Sequence, residues 1–334
     1  MPASLPRRHF LLAGTAALAG TAALSGTVRA AAASPVNFQL SWIKSIQYGG
    51  YFAGIDQGTF GKFGIEASFN PGGPNIDPVA NVASGQMMIG DRPSGPLIIA
   101  REKGIPIKII GTVFQKSPFS IMSLASKPIK SLKELSGKTI AVATSNKPLM
   151  LNLLTDAGVD PESVNMVPSS PDPSALIGGQ LDAYSGYVTN QGVMLQTRGV
   201  EIYALNAQDL GMPETAGTIY AREDFLNDNR QLVVNFLKGA IAGWGWALNH
   251  PEETARLMVD KYGSPGLDYT AQLTELKASK PYIVAGAGQT KGLLAIDPLL
   301  YQQIIDLYRK VGLIKSDMKA ADLCDPSFVD AALS

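Results

Sequence analysis

Cysteine and histidine are almost missing from this chain. A single cysteine, Cys324, stands in 334 residues, which excludes an intramolecular disulfide framework and a cysteine-built zinc cluster. Histidine occurs twice, at His9 and His250, which leaves little for imidazole-based acid–base or metal chemistry. Charge is also scarce. Only 17% of residues are charged, with 28 basic against 28 acidic, and no clustered basic footprint marks a nucleic-acid binder. Several catalytic motifs are absent too. Ser136-Gly137-Lys138-Thr139 resembles the end of a phosphate loop, but Leu132 stands where the first glycine belongs and a strand follows instead of a helix. Gly286-Ala287-Gly288 lacks the third glycine of a dinucleotide fingerprint, and no serine has a Gly-x-Ser-x-Gly surround. His250 reads as a helix-end contact and Cys324 as a buried, inert thiol.

What is abundant is apolar surface, 46% of residues, enough for a large core and too much for a disordered chain. Its most regular stretch comes first. Arg7-Arg8 precede an uncharged run from Phe10 to Val28 that repeats Ala-Gly-Thr-Ala-Ala-Leu, and small residues around Ala30 follow. A basic start, a mildly apolar middle and a small-residue end predict a removable export signal over residues 1–33, of the twin-arginine type. An uncleaved membrane anchor is the competing reading, since the run is long enough to span. Cleavage would remove Arg7, Arg8 and Arg29 and leave 25 basic against 28 acidic residues, a mildly acidic mature protein.

From Ser34 onward, strand-like and helix-like stretches alternate, which predicts an α/β architecture. Strands are expected at Val36–Trp42, Ile65–Phe69, Met87–Gly90, Ile107–Phe114 and Ser120–Ala125, then at Thr139–Ala143, Val164–Val167, Ala183–Tyr187, Ile202–Leu205 and Thr218–Ala221. Leu232 to Leu248 recur at helical spacing, and Asp297-Pro298 reads as a helix start. Two α/β units followed by helices predict a two-lobed protein. Ser120–Ala125 and Thr218–Ala221 are taken as crossover strands, giving lobe one from 35–122 plus 220–334 and lobe two from 123–219. Such lobes close on a ligand like a hinge.

Polar and aromatic loops follow the expected strands, where ligands of α/β proteins bind. They are Ser41–Tyr51, Asn70–Asn75, Gly90–Gly95, Phe114–Pro118, Thr144–Lys147 and Tyr184–Asn190. Trp42 and Tyr51 either fill the core or offer stacking faces. Arg92, Lys116 and Lys147 put a cation in three loops, either toward an anionic ligand or as solvated rim charges.

In order and spacing these stretches resemble the substrate-binding components of ABC importers, of the thiamine-pyrimidine-synthase-like and nitrate/sulfonate/taurine type. The residues that carry the resemblance are Trp42 with Gln47–Ala53, Gly58–Phe60 with Gly64–Glu66, Pro71–Pro74, Val82–Gly85, Ala100–Gly104, Phe114–Pro118 and Leu132–Lys138. The resemblance implies a two-lobed periplasmic-binding-protein fold of type II, a periplasmic location and a membrane permease as partner. It also implies a small heterocyclic (pyrimidine or flavin-like) or other organic solute between the lobes. Trp42 and Tyr48 are expected to stack on it, with polar contacts from Gln47, Asn75, Asp91, Ser94, Gln115, Ser117, Ser145 and Asn190. No cofactor, metal, catalytic residue or nucleic acid is implied, and a monomer is expected. The synthase branch carries a cysteine cluster and an essential histidine; this chain has neither, so an enzyme is not expected. Where relatives continue into Tyr-Asn-Glu, this chain has Thr189-Asn190-Gln191, which puts an aminopyrimidine in doubt. The alternatives are a thiamine-pyrimidine-synthase-like enzyme, a sulfonate or carboxylate binder, or a periplasmic sensor with the same fold.

Overall fold

Ten strands form where apolar residues alternate or run together, as seen in a computed structural model of the chain. It describes residues 33–73 and 76–334, without the side chain of Ser145. The expected leader over 1–33 lies, but for Ala33, outside the described residues, and so does Asn75. The strands are β1 (Ser34–Gln39), β2 (Ile65–Asn70), β3 (Ile89–Arg92), β4 (Ile107–Phe114), β5 (Phe119–Leu124), β6 (Thr139–Val142), β7 (Asn165–Pro168), β8 (Ala183–Tyr187), β9 (Ile202–Asn206) and β10 (Ala216–Arg222). They make two five-stranded sheets with the orders β2-β1-β3-β10-β4 and β7-β6-β8-β5-β9.

Both sheets follow one plan. Two parallel pairings, β1 with β2 and β3, or β6 with β7 and β8, build one half. An antiparallel strand then enters beside the third: β10 between β3 and β4, β5 between β8 and β9. In each sheet that antiparallel strand is the one that arrives from the other sheet. The crossings are therefore the segments 115–118 and 207–215, each just before its strand, rather than strands that span both halves. A division at 122/123 falls inside β5, and one at 219/220 falls inside β10. Backbone hydrogen bonding keeps each strand whole in one sheet.

The first sheet is covered by helices whose apolar faces match the expected periodicity. The helix Arg230–Asn249 buries Val233, Phe236, Leu237, Ala240 and Trp244. Its Gly243 meets the helix Gly49–Asp56 so closely that a Cβ there would lie 2.4 Å from the Gly50 carbonyl oxygen. A Cβ on Gly50 would in turn lie 2.1 Å from the Trp244 ring. Only glycine allows the two backbones this approach. Beneath them Tyr51 packs on Phe38, Phe69 and Trp244, with ring centroids 5.0–5.7 Å apart. Tyr51 and Trp244 are thus core residues, each worth roughly 1.5–3 kcal/mol through burial of its ring. The helix Pro298–Lys310 starts as expected: the Asp297 carboxylate accepts from the N–H groups of Leu299 and Leu300 at 3.0 and 3.3 Å. Among the described residues no helix is long and apolar enough to cross a membrane.

Candidate functional site

A cavity of about 530 Å³ opens between the two sheets. Its lining comes from the ends of β1, β3, β6, β7 and β8, the carboxyl ends where parallel strands present their loops. Ser41, Trp42, Gln47, Arg92, Pro93 and Pro96 line the first sheet's side. Phe119, Ala143, Thr144, Asn146, Ser169–Pro171, Tyr184–Tyr187, Asn190 and Gln191 line the second. Glu214, from the returning crossing, also reaches the lining.

The first side is braced from below. The Asp91 carboxylate, fully buried, accepts from the Ser41 N–H at 2.8 Å and from the Ser41 hydroxyl at 3.0 Å. The Ser41 hydroxyl lies 2.9 Å from the Tyr48 hydroxyl, and Gln47 Nε2 donates to that same oxygen at 3.4 Å. This chain fixes the backbone that presents Trp42. Burial pushes the Asp91 carboxyl up to about 7, against the lowering effect of its two bonds from Ser41. Behind the loop, Gly72 stands so near β1's continuation that a Cβ would lie 2.3 Å from the Leu40 carbonyl oxygen.

Glu214 is buried where the helix Ser94–Glu102 begins. It accepts from the Gly95 N–H, and burial still pushes its carboxyl up to about 7. Burial likewise raises the Tyr187 hydroxyl, with Glu214 and Asp91 adding to the effect. On the second side the Tyr184 hydroxyl donates to the Ser170 carbonyl, and the Tyr187 N–H donates to Gln191 Oε1 at 2.9 Å. Asn190 Nδ2 donates to Glu275 at 2.8 Å, on the helix Tyr269–Ile283. Burial pushes the Glu275 carboxyl up to about 8.

Of the expected contact residues, the structure brings Trp42, Gln47 and Asn190 to the cavity. Tyr48 is not a stacking face; it is 2% exposed and serves as the anchor of Ser41. Asp91 supports the wall without lining it. Ser94 is buried at its helix start, exchanging bonds with Thr215 at 3.2 Å. Gln115 donates to the Thr112 and Ala295 carbonyls at 2.7 and 2.8 Å, and Ser117 accepts from the Phe119 N–H at 3.2 Å. Both hold the first crossing in shape. The turn that carries Ser145 borders the cavity through Thr144 and Asn146. Lys116 pairs with Asp209 at 3.5 Å on the surface, and Lys147 is exposed. Arg92 is different: it lines the cavity.

Sequence reasoning placed Ser41 in a ligand loop without naming it as a contact, and missed Pro96, Phe119, Ser169–Pro171 and Glu214 as cavity residues. The loop after β7 obeys the same strand-end rule as the others and was within reach of it. Glu214 was not, because it precedes a strand. His250 and Cys324 lie outside the lining. His250 Nδ1 sits 2.9 Å from the Trp246 carbonyl and its ring stacks on Trp246, while Cys324 is buried with its thiol pushed up by desolvation. Among the described residues no group of histidine, cysteine or carboxylate side chains is arranged to hold a metal ion.

Comparison with known proteins gives a consistent result. The family described as NMT1/THI5 like matches residues 45–254. The riboflavin-binding protein RibY of Chloroflexus aurantiacus is 23% identical over 305 residues, which covers 88% of this chain and 86% of that protein. A formylaminopyrimidine-binding protein of Halalkalibacterium halodurans is 24% identical over 234 residues, 68% of this chain and 71% of its own length. Among solved structures, the periplasmic aliphatic sulphonate binding protein SsuA of Escherichia coli superposes with a TM-score of 0.67 at 15% identity, over 86% of this chain and 91% of that one. The shared architecture is the two-lobed α/β periplasmic-binding-protein fold expected from the sequence.

Proposed function

The chain belongs to the NMT1/THI5 like family, and from that premise we propose that it is the solute-binding component of an ABC importer. The observation that carries this reading is the cavity between the sheets, where rings from both sides face polar groups held by buried bonds. Trp42 and Tyr187 provide flat apolar faces, the buried rings of Phe119 and Tyr184 border them, and Gln47, Thr144, Asn190 and Gln191 provide donors and acceptors around them. Such a lining suits a planar heterocyclic or other conjugated solute, the kind of molecule that the names of the two binding-protein relatives indicate for those proteins. Each sheet with its helices forms a lobe, and the segments 115–118 and 207–215 are the places where the lobes can swing. Closure removes the solute from water, and the closed form is what a permease partner reads. Export by the twin-arginine-like leader would deliver the chain, as a monomer, to the periplasm. No bond is made or broken: the chain's His250 and Cys324 both stand away from the cavity.

A melting-temperature screen of the purified full chain tests this. A solute that binds only the folded state raises Tm, by about 2.7 kcal/mol of stability at a hundredfold excess over Kd. Pyrimidines, riboflavin and sulfonates form the panel, with Trp42→Ala alongside the unaltered chain. The expected result is a rise with at least one class and an affinity about tenfold weaker or more in the variant. No rise with any class would sink the solute-binding reading. Unchanged affinity in Trp42→Ala would sink the stacking role of that ring.

A further inference from the structure

Arg92 is the group in the cavity that nothing so far explains. It ends β3, where alternation along the strand turns Asp91 inward beneath Ser41 and Arg92 to the opposite face, into the lining. Its Nε is buried without a hydrogen-bond partner. It also joins no ion pair among the described residues. The other arginines of the described chain are all engaged. Arg101, Arg198, Arg222 and Arg309 pair with carboxylates. Arg230 and Arg256 lie over the rings of Phe328 and Tyr269.

A guanidinium keeps its proton at any physiological pH, so it cannot escape burial by becoming neutral. Left unpaired in a closing cavity, it would carry an uncompensated charge away from water. The Asp91 carboxylate next to it attracts the guanidinium, but among the described residues no carboxylate comes within ion-pair distance of it. Asp91 is committed to Ser41, and Glu214 is committed to the Gly95 N–H. Burial also pushes both carboxyls up, which favours their neutral forms. The missing counter-charge must come with the solute. The surfaces around Arg92 are the indole of Trp42 and the rings of Phe119, Tyr184 and Tyr187, which accept a flat body rather than a flexible chain.

We infer that the solute is a planar conjugated ring bearing one oxyanion, a carboxylate or a sulfonate, with the oxyanion on the Arg92 guanidinium and the ring among the aromatic side chains. This rests on the solute-binding reading above and narrows it. A carboxylate or sulfonate presents two oxygens to the two terminal nitrogens together, a geometry that a guanidinium fork recognises.

Calorimetric titration of the full chain with matched acid and amide pairs tests the inference. The probes are benzoate with benzamide, 2-naphthoate with 2-naphthamide, and benzenesulfonate with benzenesulfonamide. The expected result is that at least one acid binds about tenfold or more tighter than its neutral partner. In Arg92→Gln the acid should lose its preference over its amide, and the variant's melting curve without solute reports an intact fold. The acid–amide preference of the unaltered chain is read without the variant, so a poorly folding variant does not remove the test. The benzoate and benzenesulfonate arms tell the two oxyanions apart. Amides that bind as tightly as acids, or an acid preference that survives in Arg92→Gln, would overturn the inference and leave the solute-binding reading standing. Rings that fail to bind in either form would overturn it too, and silence in the pyrimidine and flavin screen as well would remove both.

Discussion

On the first sheet's side of the cavity, Asp91, Ser41 and Tyr48 form an unbroken, part-buried chain beside Trp42, backed by two helices in glycine-to-glycine contact. On the second sheet's side, the Ser169–Pro171 loop is held by separate bonds: the Ser169 N–H on the Val142 carbonyl, the Tyr184 hydroxyl on the Ser170 carbonyl and the Ser170 hydroxyl on the Asp172 carbonyl. Yet the two sheets share one strand order. The difference lies in what stands behind the loops. One face of the second sheet packs a small cluster, Met122, Ala141, Leu176, Tyr184 and Leu195, whereas the first sheet rests on the aromatic stack of Phe38, Tyr51, Phe69 and Trp244. A wall of the first kind holds a ring at one angle. A wall of the second kind has a smaller apolar backing, so the same topology gives two walls that differ in what supports them.

Three changes would break or sharpen that contrast, beyond the substitutions of Trp42 and Arg92 already described. The largest effect belongs to Gly243→Ala. Its new Cβ meets backbone atoms of Gly50 and Gly54 at 2.4 and 2.8 Å, so the helices must part, at about 3 kcal/mol measured by urea unfolding. A loss under about 1 kcal/mol would show that the braced wall is softer than its packing implies.

Next comes Glu275→Gln, which keeps an oxygen to accept from Asn190 but removes a titrating group. Glu275 at about 8, with Asp91 and Glu214 at about 7, each binds its proton more tightly folded than unfolded. Each therefore stabilises the fold most below about pH 4, where unfolded carboxyls also hold protons, and loses that contribution as pH rises through 7 and 8. The unaltered chain should lose stability between pH 5 and 9. The variant should lose less, by on the order of 2 kcal/mol, with the remaining slope due to Asp91 and Glu214. Identical pH profiles of Tm would overturn this account. The smallest effect is expected from Tyr184→Phe, which frees the Ser170 carbonyl at a cost of about 1 kcal/mol and leaves the Trp42 side intact. A larger loss would mean that the second wall is braced as well as the first.

The strands were legible because burial on two faces writes continuous apolar runs and burial on one face writes alternation. Ile107–Phe114 and Ala183–Tyr187 match their strands residue for residue. The entry of β10 between β3 and β4 was not legible, since pairing between residues more than a hundred apart leaves no local trace. For the site, strand ends named the right loops but not the right side chains. Asp91 and Arg92 are neighbours, and one step of strand parity sends one beneath the wall and the other into the cavity. Gln115 and Ser117 misled for a related reason. A crossing that must turn sharply needs its own amides and hydroxyls for its backbone, so polar residues there are consumed locally.

The helix Tyr269–Ile283 contributes no residue to the cavity lining, yet it grips both halves, and its Tyr282 carbonyl accepts from the Gln115 and Lys116 N–H groups of the first crossing at 2.9 and 3.2 Å. Gln272 Oε1 accepts from the Ile46 N–H at 2.7 Å, and Glu275, three residues on and along the same face, accepts from Asn190 at 2.8 Å. The first grip lies beside the Trp42 loop and the second beside the Tyr187 loop. Opening the cavity on that side has to part Asn190 from Glu275 while the Ile46 grip stays. On the solute-binding reading, dwell time, as distinct from affinity, would then answer to a contact on a helix outside the cavity lining.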